Sequence, residues 1–178
     1  YGVWIAEVML QQTQLKTVLP YWHKWIDAFP GLIELASADE QTVLLLWQGL
    51  GYYRRAKNLK AAATSVVRDH SGALPGDYKK LIALPGIGEY TAGALMSMVF
   101  DKPYGALDGN LKRVLSRLFM IEDPLNQNSD KKKCSEILSR LCKTCDSPAK
   151  LNEGLMELGE RICIPLSPKC NSCPIKTH

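Results

Sequence analysis

No stretch of this chain alternates apolar and polar residues with a period of two, and its lone Asp-Gly pair runs into a helical pattern rather than a strand. That leaves helices to bury the apolar residues, and the expected fold class is all-α. Residues 3–19 have helical character. After Pro20, a residue suited to the first turn of a helix, Tyr21, Trp22, Trp25, Ile26 and Phe29 recur at helical spacing. "SADE" (Ser37–Glu40) fits a capping box that opens a helix running to Gly49. Further helices are expected from about Tyr53 to near Gly72, on both sides of "LPGIG", after "LDGN", and at roughly 130–145 and 150–162.

With 178 residues, the chain can form one domain or two small ones. At 46% hydrophobic and 22% charged it has the composition of a globular protein, and its apolar runs are too short and too often broken by charge to span a membrane. It begins at Tyr1 with a segment that already reads as mid-helix, so an internal piece of a longer protein is expected. A net charge of +4 permits a polyanionic partner without demanding one. Six cysteines without a secretory signal argue for thiols or metal rather than disulfides.

Four segments carry chemical meaning. In "LPGIG", Pro85, Gly86 and Gly88 make a tight turn between two helices, where backbone amides can meet a DNA phosphate; the ordinary alternative is a helix link with a glycine C-cap. Glu7 is flanked by three apolar residues on each side, and burial raises a carboxyl pKa towards that of a general acid. Asp108 precedes a helix, where an N-cap is the ordinary reading, yet beside Gly109 its carboxylate can also face a cleft. Two carboxylates in unlike environments suit glycosidic cleavage. In "QGLGYYRRAK", Tyr52 and Tyr53 stand beside Arg54, Arg55 and Lys57, a pattern for base stacking with phosphate clamping or, more simply, core tyrosines beside a solvated basic face.

The cysteines pose a counting problem. Cys163, Cys170 and Cys173 stand in a C-x6-C-x2-C run, and thiolate sites normally use four protein ligands. Cys142-x2-Cys145 could join Cys170 and Cys173 around zinc. However, Cys134, Leu138, Leu141, Cys142 and Cys145 fall on one stripe that reads as core, and Cys163 would be left over.

Together these motifs resemble the endonuclease III superfamily of helix–hairpin–helix DNA glycosylases. "EVMLQQTQ", "GLGYY", "LPGIGEYTAGA" and "LDGN" look specifically like the MutY-type adenine DNA glycosylases, in order and across essentially the whole chain. The resemblance implies two helical lobes, about 1–102 with the hairpin and about 103–178 with the cluster cysteines, and an active site in the cleft between them. It implies a [4Fe–4S] cluster on Cys163, Cys170 and Cys173, with a fourth cysteine immediately after residue 178. Glu7 matches the acid that protonates adenine N7, Asp108 the carboxylate that stabilises the sugar cation, and Asn110 an orienter of water or sugar. Tyr90 stands where strand-cleaving relatives carry a nucleophilic lysine, which implies hydrolysis alone. Glu153 matches a contact to the flipped adenine; Gln12, Thr13, Leu50 and Tyr52 match residues around the opposing 8-oxoguanine.

The implied partner is double-stranded DNA with adenine opposite 8-oxoguanine or guanine, met by a monomer in a bacterial nucleoid or a eukaryotic nucleus or mitochondrion. A thymine–guanine mismatch glycosylase of the same superfamily and a non-catalytic DNA-binding module are the competing readings. Family members also carry a further N-terminal helical region and a separate C-terminal domain that recognises 8-oxoguanine, so the resemblance describes a longer parent enzyme.

Overall fold

The computed structural model describes residues 1–121 and 127–176, and among these the ordered elements are helical. The chain divides into two compact units, Tyr1–Leu95 and Met96–His178.

The first unit holds α1 (Gly2–Leu10), α2 (Leu15–Ala28), α3 (Leu32–Ser37), α4 (Glu40–Trp47), α5 (Arg54–Asp69), α6 (Tyr78–Ile82) and most of α7 (Glu89–Met98). Its core is aromatic. Trp25 is fully buried, with its ring edge-on to Trp47 at 5.3 Å and to Phe29 at 5.2 Å. Helix α5 packs on α1, α3 and α4, burying Ala56, Leu59, Ala62, Ala63 and Val66 at helical spacing.

The second unit holds α8 (Gly109–Leu118), α9 (Gln127–Thr144), α10 (Pro148–Arg161) and a single 3-10 turn at Cys170–Ser172. Its core joins Leu111 and Leu115 of α8 to Cys134, Leu138 and Cys142 of α9. Gly105 and Gly159 allow close approach here: a Cβ on Gly105 would lie 2.6 Å from Leu138, and one on Gly159 would lie 2.8 Å from Asn110 Cβ.

Three boundaries differ from the sequence expectation. The helical character of residues 3–19 is broken at Gln11–Gln14, where Gln12 takes a φ of 56°. Pro20 lies inside α2 rather than opening it, because the amides of Thr17 and Val18 already bond to the Gln14 carbonyl. The proline is tolerated since it and Lys16, whose carbonyl loses an amide partner, are both exposed to water. Ser37 ends α3, its hydroxyl bonded back to the Ile33 carbonyl, and the cap of α4 is Asp39, which accepts the Thr42 amide at 2.8 Å. An extended Ala38 separates the two helices, so the cap falls two residues later than Ser37 and is a lone Asp39 rather than a capping box.

Candidate functional site

In the first unit, Glu7 sits on α1 between the buried residues Trp4, Ile5, Val8 and Met9, and is itself half-buried. Tyr90, in the first turn of α7, donates its hydroxyl to Glu7 Oε2 at 2.8 Å. Two residues 83 apart in sequence are thereby joined. Beside them Gln11 Nε2 donates to Thr91 Oγ1 at 3.4 Å.

The hairpin lies between α6 and α7. Leu84 and Ile87 are buried and anchor the turn, while Pro85, Gly86 and Gly88 are exposed. Gly86 has a φ of 76°, and a Cβ there would fall 2.6 Å from Asn58 Cβ, so both conformation and space require glycine. Gly88 has nothing within 4 Å of a built Cβ, which leaves open room in front of the α7 N-terminus.

Gln12, Thr13, Leu50 and Tyr52 lie on two turns, one after α1 and one before α5. Gln12 and Tyr52 are exposed and both have positive φ, 56° and 49°; Leu50 is buried. The expected basic cluster does not hold together. Arg55 is only 8% exposed and faces inward, donating to the carbonyls of Val8, Met9, Gln11, Leu50 and Gly51. Lys57 pairs with Glu40 at 2.8 Å. Of the three cations expected to clamp phosphate, Arg55 is therefore a structural tie, because five carbonyl oxygens compensate its buried charge better than solvent could reach it.

In the second unit, Asp108 is the N-cap of α8 and accepts the Leu111 amide at 2.7 Å through Oδ1. The segment leading to it is fixed by the fully buried Asn152 of α10, which accepts the Ala106 amide and donates to the Tyr104 carbonyl. The adjacent Glu153 is exposed. Asn110 accepts from Arg113 Nη2 at 2.9 Å, and the same guanidinium reaches the carbonyls of Gly159 and Cys163. Arg117, one turn on, donates to the carbonyls of Ile164 and Pro165 and lies 3.4 Å from Cys163 Sγ. Sequence reading passed over both arginines and Asn152. The i,i+3 and i,i+4 spacing of Asn110, Arg113 and Arg117 was the available signal.

Cys163, Cys170 and Cys173 lie on the segment after α10, half-buried, exposed and half-buried in turn. Among the described residues no three Cys, His, Asp or Glu side chains are gathered closely enough to hold a metal ion. The three thiols are of the ligand type that an iron–sulfur cluster takes and lie on one short segment after α10. Nor do Cys142 and Cys145 form a zinc site: Cys142 is buried in the core cluster, where burial pushes its thiol up to about 11. Among the described residues no helix is long and apolar enough to cross a membrane.

Residues 5–148 match the family model of the HhH-GPD superfamily base excision DNA repair protein. The chain belongs to this family. Among curated relatives, the adenine DNA glycosylase of Buchnera aphidicola subsp. Acyrthosiphon pisum is 42% identical over 99% of this chain and 50% of its own length. That of Homo sapiens is 41% identical over 99% of this chain and 32% of its own length. This chain thus spans half or less of these relatives. Among solved structures, a thermostable thymine-DNA glycosylase superposes with a TM-score of 0.88 at 28% identity, over 98% of this chain and 80% of that one. A non-covalent endonuclease III–DNA complex superposes with a TM-score of 0.80 at 22% identity, over 97% and 78%, and shares the fold.

Proposed function

We propose that this chain is the catalytic part of a monofunctional adenine DNA glycosylase, hydrolysing the N-glycosidic bond of adenine opposite 8-oxoguanine or guanine. The observation that carries the reading is the Glu7–Tyr90 pair, a half-buried carboxyl in an apolar helix held by a phenol. Adenine leaves poorly until a ring nitrogen is protonated, and it must leave the base stack to be reached. Glu7 is the proton donor, at adenine N7. Asp108 stabilises the positive charge that develops on the sugar, and Asn110 orients the incoming water. Tyr90 offers no amine, so no Schiff base forms with the sugar and no β-elimination follows. Glu153 contacts the extruded adenine, and Gln12, Thr13, Leu50 and Tyr52 surround the opposing base. The amides around Gly86 and Gly88 hold a phosphate of the duplex.

The test is single-turnover base release by the full-length protein on duplexes bearing A opposite 8-oxoguanine, A opposite G, and T opposite G. Adenine release that is lost in Glu7→Gln and Asp108→Asn while duplex binding persists supports the reading. The 28% identity to a thymine-DNA glycosylase favours a second one, T:G processing, and thymine release would select it. Duplex binding without release of either base, unchanged in both variants, would reduce the chain to a DNA-binding module.

The metal reading is a [4Fe–4S] cluster on Cys163, Cys170, Cys173 and a further cysteine, supported by the C-x6-C-x2-C spacing and by the family. No step of the hydrolysis passes through it. The full-length protein should contain about four irons per chain and absorb broadly in the visible. Stoichiometric zinc without a chromophore would reject the cluster.

A further inference from the structure

The Arg55 guanidinium makes bonds that its surroundings alone do not require. It stands in the first turn of α5, where a cation is disfavoured by the positive helix end. It is buried without a carboxylate among its hydrogen-bond partners, and burial holds its pKa below the ordinary arginine value. What offsets this is a set of carbonyls from two turns. Nη1 donates to Val8 and Met9, in the last turn of α1, at 3.0 and 2.8 Å, and to Gln11 at 2.7 Å. Nη2 donates to Leu50 and Gly51 at 3.3 and 3.2 Å and reaches Thr13 Oγ1 at 3.3 Å. The guanidinium carbon also lies 5.2 Å from the Trp47 ring centre and 5.3 Å from that of Tyr52. Arg55 Nε and Trp4 Nε1 have no hydrogen-bond partner, and both residues line a cavity of about 30 Å³, the size of one water.

Two of these carbonyls matter most. Gln11 O belongs to the peptide that precedes Gln12, and Gly51 O to the peptide that precedes Tyr52. Gln12 and Tyr52 both hold the left-handed conformation, with φ of 56° and 49°, which non-glycine residues rarely adopt. A hydrogen bond that pins the preceding peptide plane keeps φ from relaxing. Both residues are exposed and line one open hollow with Gln11, Tyr53 and Asn58.

We propose that Arg55 is a positioning residue, which holds Gln12 and Tyr52 together in left-handed conformations as one preformed surface for the base opposite the excised one. This deepens the functional reading above and rests on it for the identity of that base. A lysine cannot replace the arginine, since a single ammonium lacks the planar fork that spans both turns.

Two measurements on the full-length protein and its Arg55→Lys variant test it. The first is binding to a duplex with 8-oxoguanine opposite a non-hydrolysable adenine analogue, against the undamaged duplex, over a range of salt. The variant should lose about tenfold of the discrimination, the effect of one or two hydrogen bonds, with an unchanged log–log salt slope. Because lysine keeps the charge, the phosphate alternative is read in Arg55→Gln: a slope lower by about 0.9 there would make Arg55 a phosphate contact and overturn the proposal. The second measurement is amide hydrogen exchange, which needs no DNA. Residues 11–13 and 50–53 should exchange faster together in Arg55→Lys while the remaining core keeps its protection; unchanged exchange there overturns the clamp. Should the wild type itself fail to discriminate, the functional reading falls, and the exchange result still decides the clamp. If Arg55→Lys does not fold, Tyr52→Gly replaces it. Glycine relieves the left-handed strain, so residues 11–13 should keep their wild-type exchange rates in that variant if Arg55 holds each turn directly, and faster exchange there overturns the assignment.

Discussion

Cys142 illustrates how far a single residue's surroundings can move its chemistry. Burial is the main cause of its raised thiol pKa, the nearby Cys145 adds to it, and the hydrogen bond from Asn152 opposes it. A thiol whose folded pKa is about 11 against an ordinary 9.0 favours the folded state only while it stays neutral in both states. Its contribution is complete below pH 9, where the unfolded thiol is neutral, and is lost as pH rises to about 11. Urea midpoints measured across this window should fall more steeply for the wild type than for Cys142→Ala; parallel profiles would contradict the assignment. The same burial predicts that in the folded, metal-free protein iodoacetamide at pH 8 modifies the exposed Cys170 and spares Cys142 and Cys134, as peptide mapping would read.

Between elements, close approach governs the second unit. Helix α10 meets α8 where Gly159 faces Asn110, and a methyl group there would stand 2.8 Å from Asn110 Cβ and 3.3 Å from its backbone. Backbone cannot yield as a side chain does. Gly159→Ala is therefore expected to cost about 1–3 kcal/mol in chemical denaturation, and to disturb the Asn110–Arg113 bond. For Gly105→Ala the three nearest atoms all belong to the Leu138 side chain, which can shift where backbone cannot, so it should cost less. An equal or greater loss at Gly105 would show that the α8–α10 contact is softer than its geometry. In the hairpin the contrast is sharper. Gly86→Ala should unfold the turn, because positive φ and Asn58 both oppose it, whereas Gly88→Val should leave the melting temperature nearly unchanged. A Gly88→Val variant that melts early would place that residue in the turn's packing rather than on its open side.

At the scale of the whole molecule, DNA affinity should come from phosphates, and the modest net charge of +4 makes their placement more important than their number. Gly88→Val is expected to weaken binding to every duplex alike, as a blocked phosphate site would. Arg54→Ala should lower the log–log salt slope by about 0.9, the effect of one lost phosphate contact. Fluorescence anisotropy titrations at four or five salt concentrations separate these outcomes. Loss on a single mispair after Gly88→Val would instead place the hairpin in base recognition.

Periodicity, turn residues and caps are local, and local signals were enough for the all-α class, the hairpin at 84–88, the Asp108 cap and the core placement of Cys134, Leu138 and Cys142. The order of four motifs was enough to indicate the family. What the sequence could not show were relations set by distance in the chain. The Glu7–Tyr90 bond joins residues 83 apart, and Arg113 meets the Cys163 carbonyl 50 residues away. Arg55 is the clearest case: in "YYRRAK" it is indistinguishable from Arg54, and by composition both belong on a basic surface. Only the tertiary packing of α5 against α1 turns one of them inward, where the carbonyl oxygens of two turns replace water around its charge.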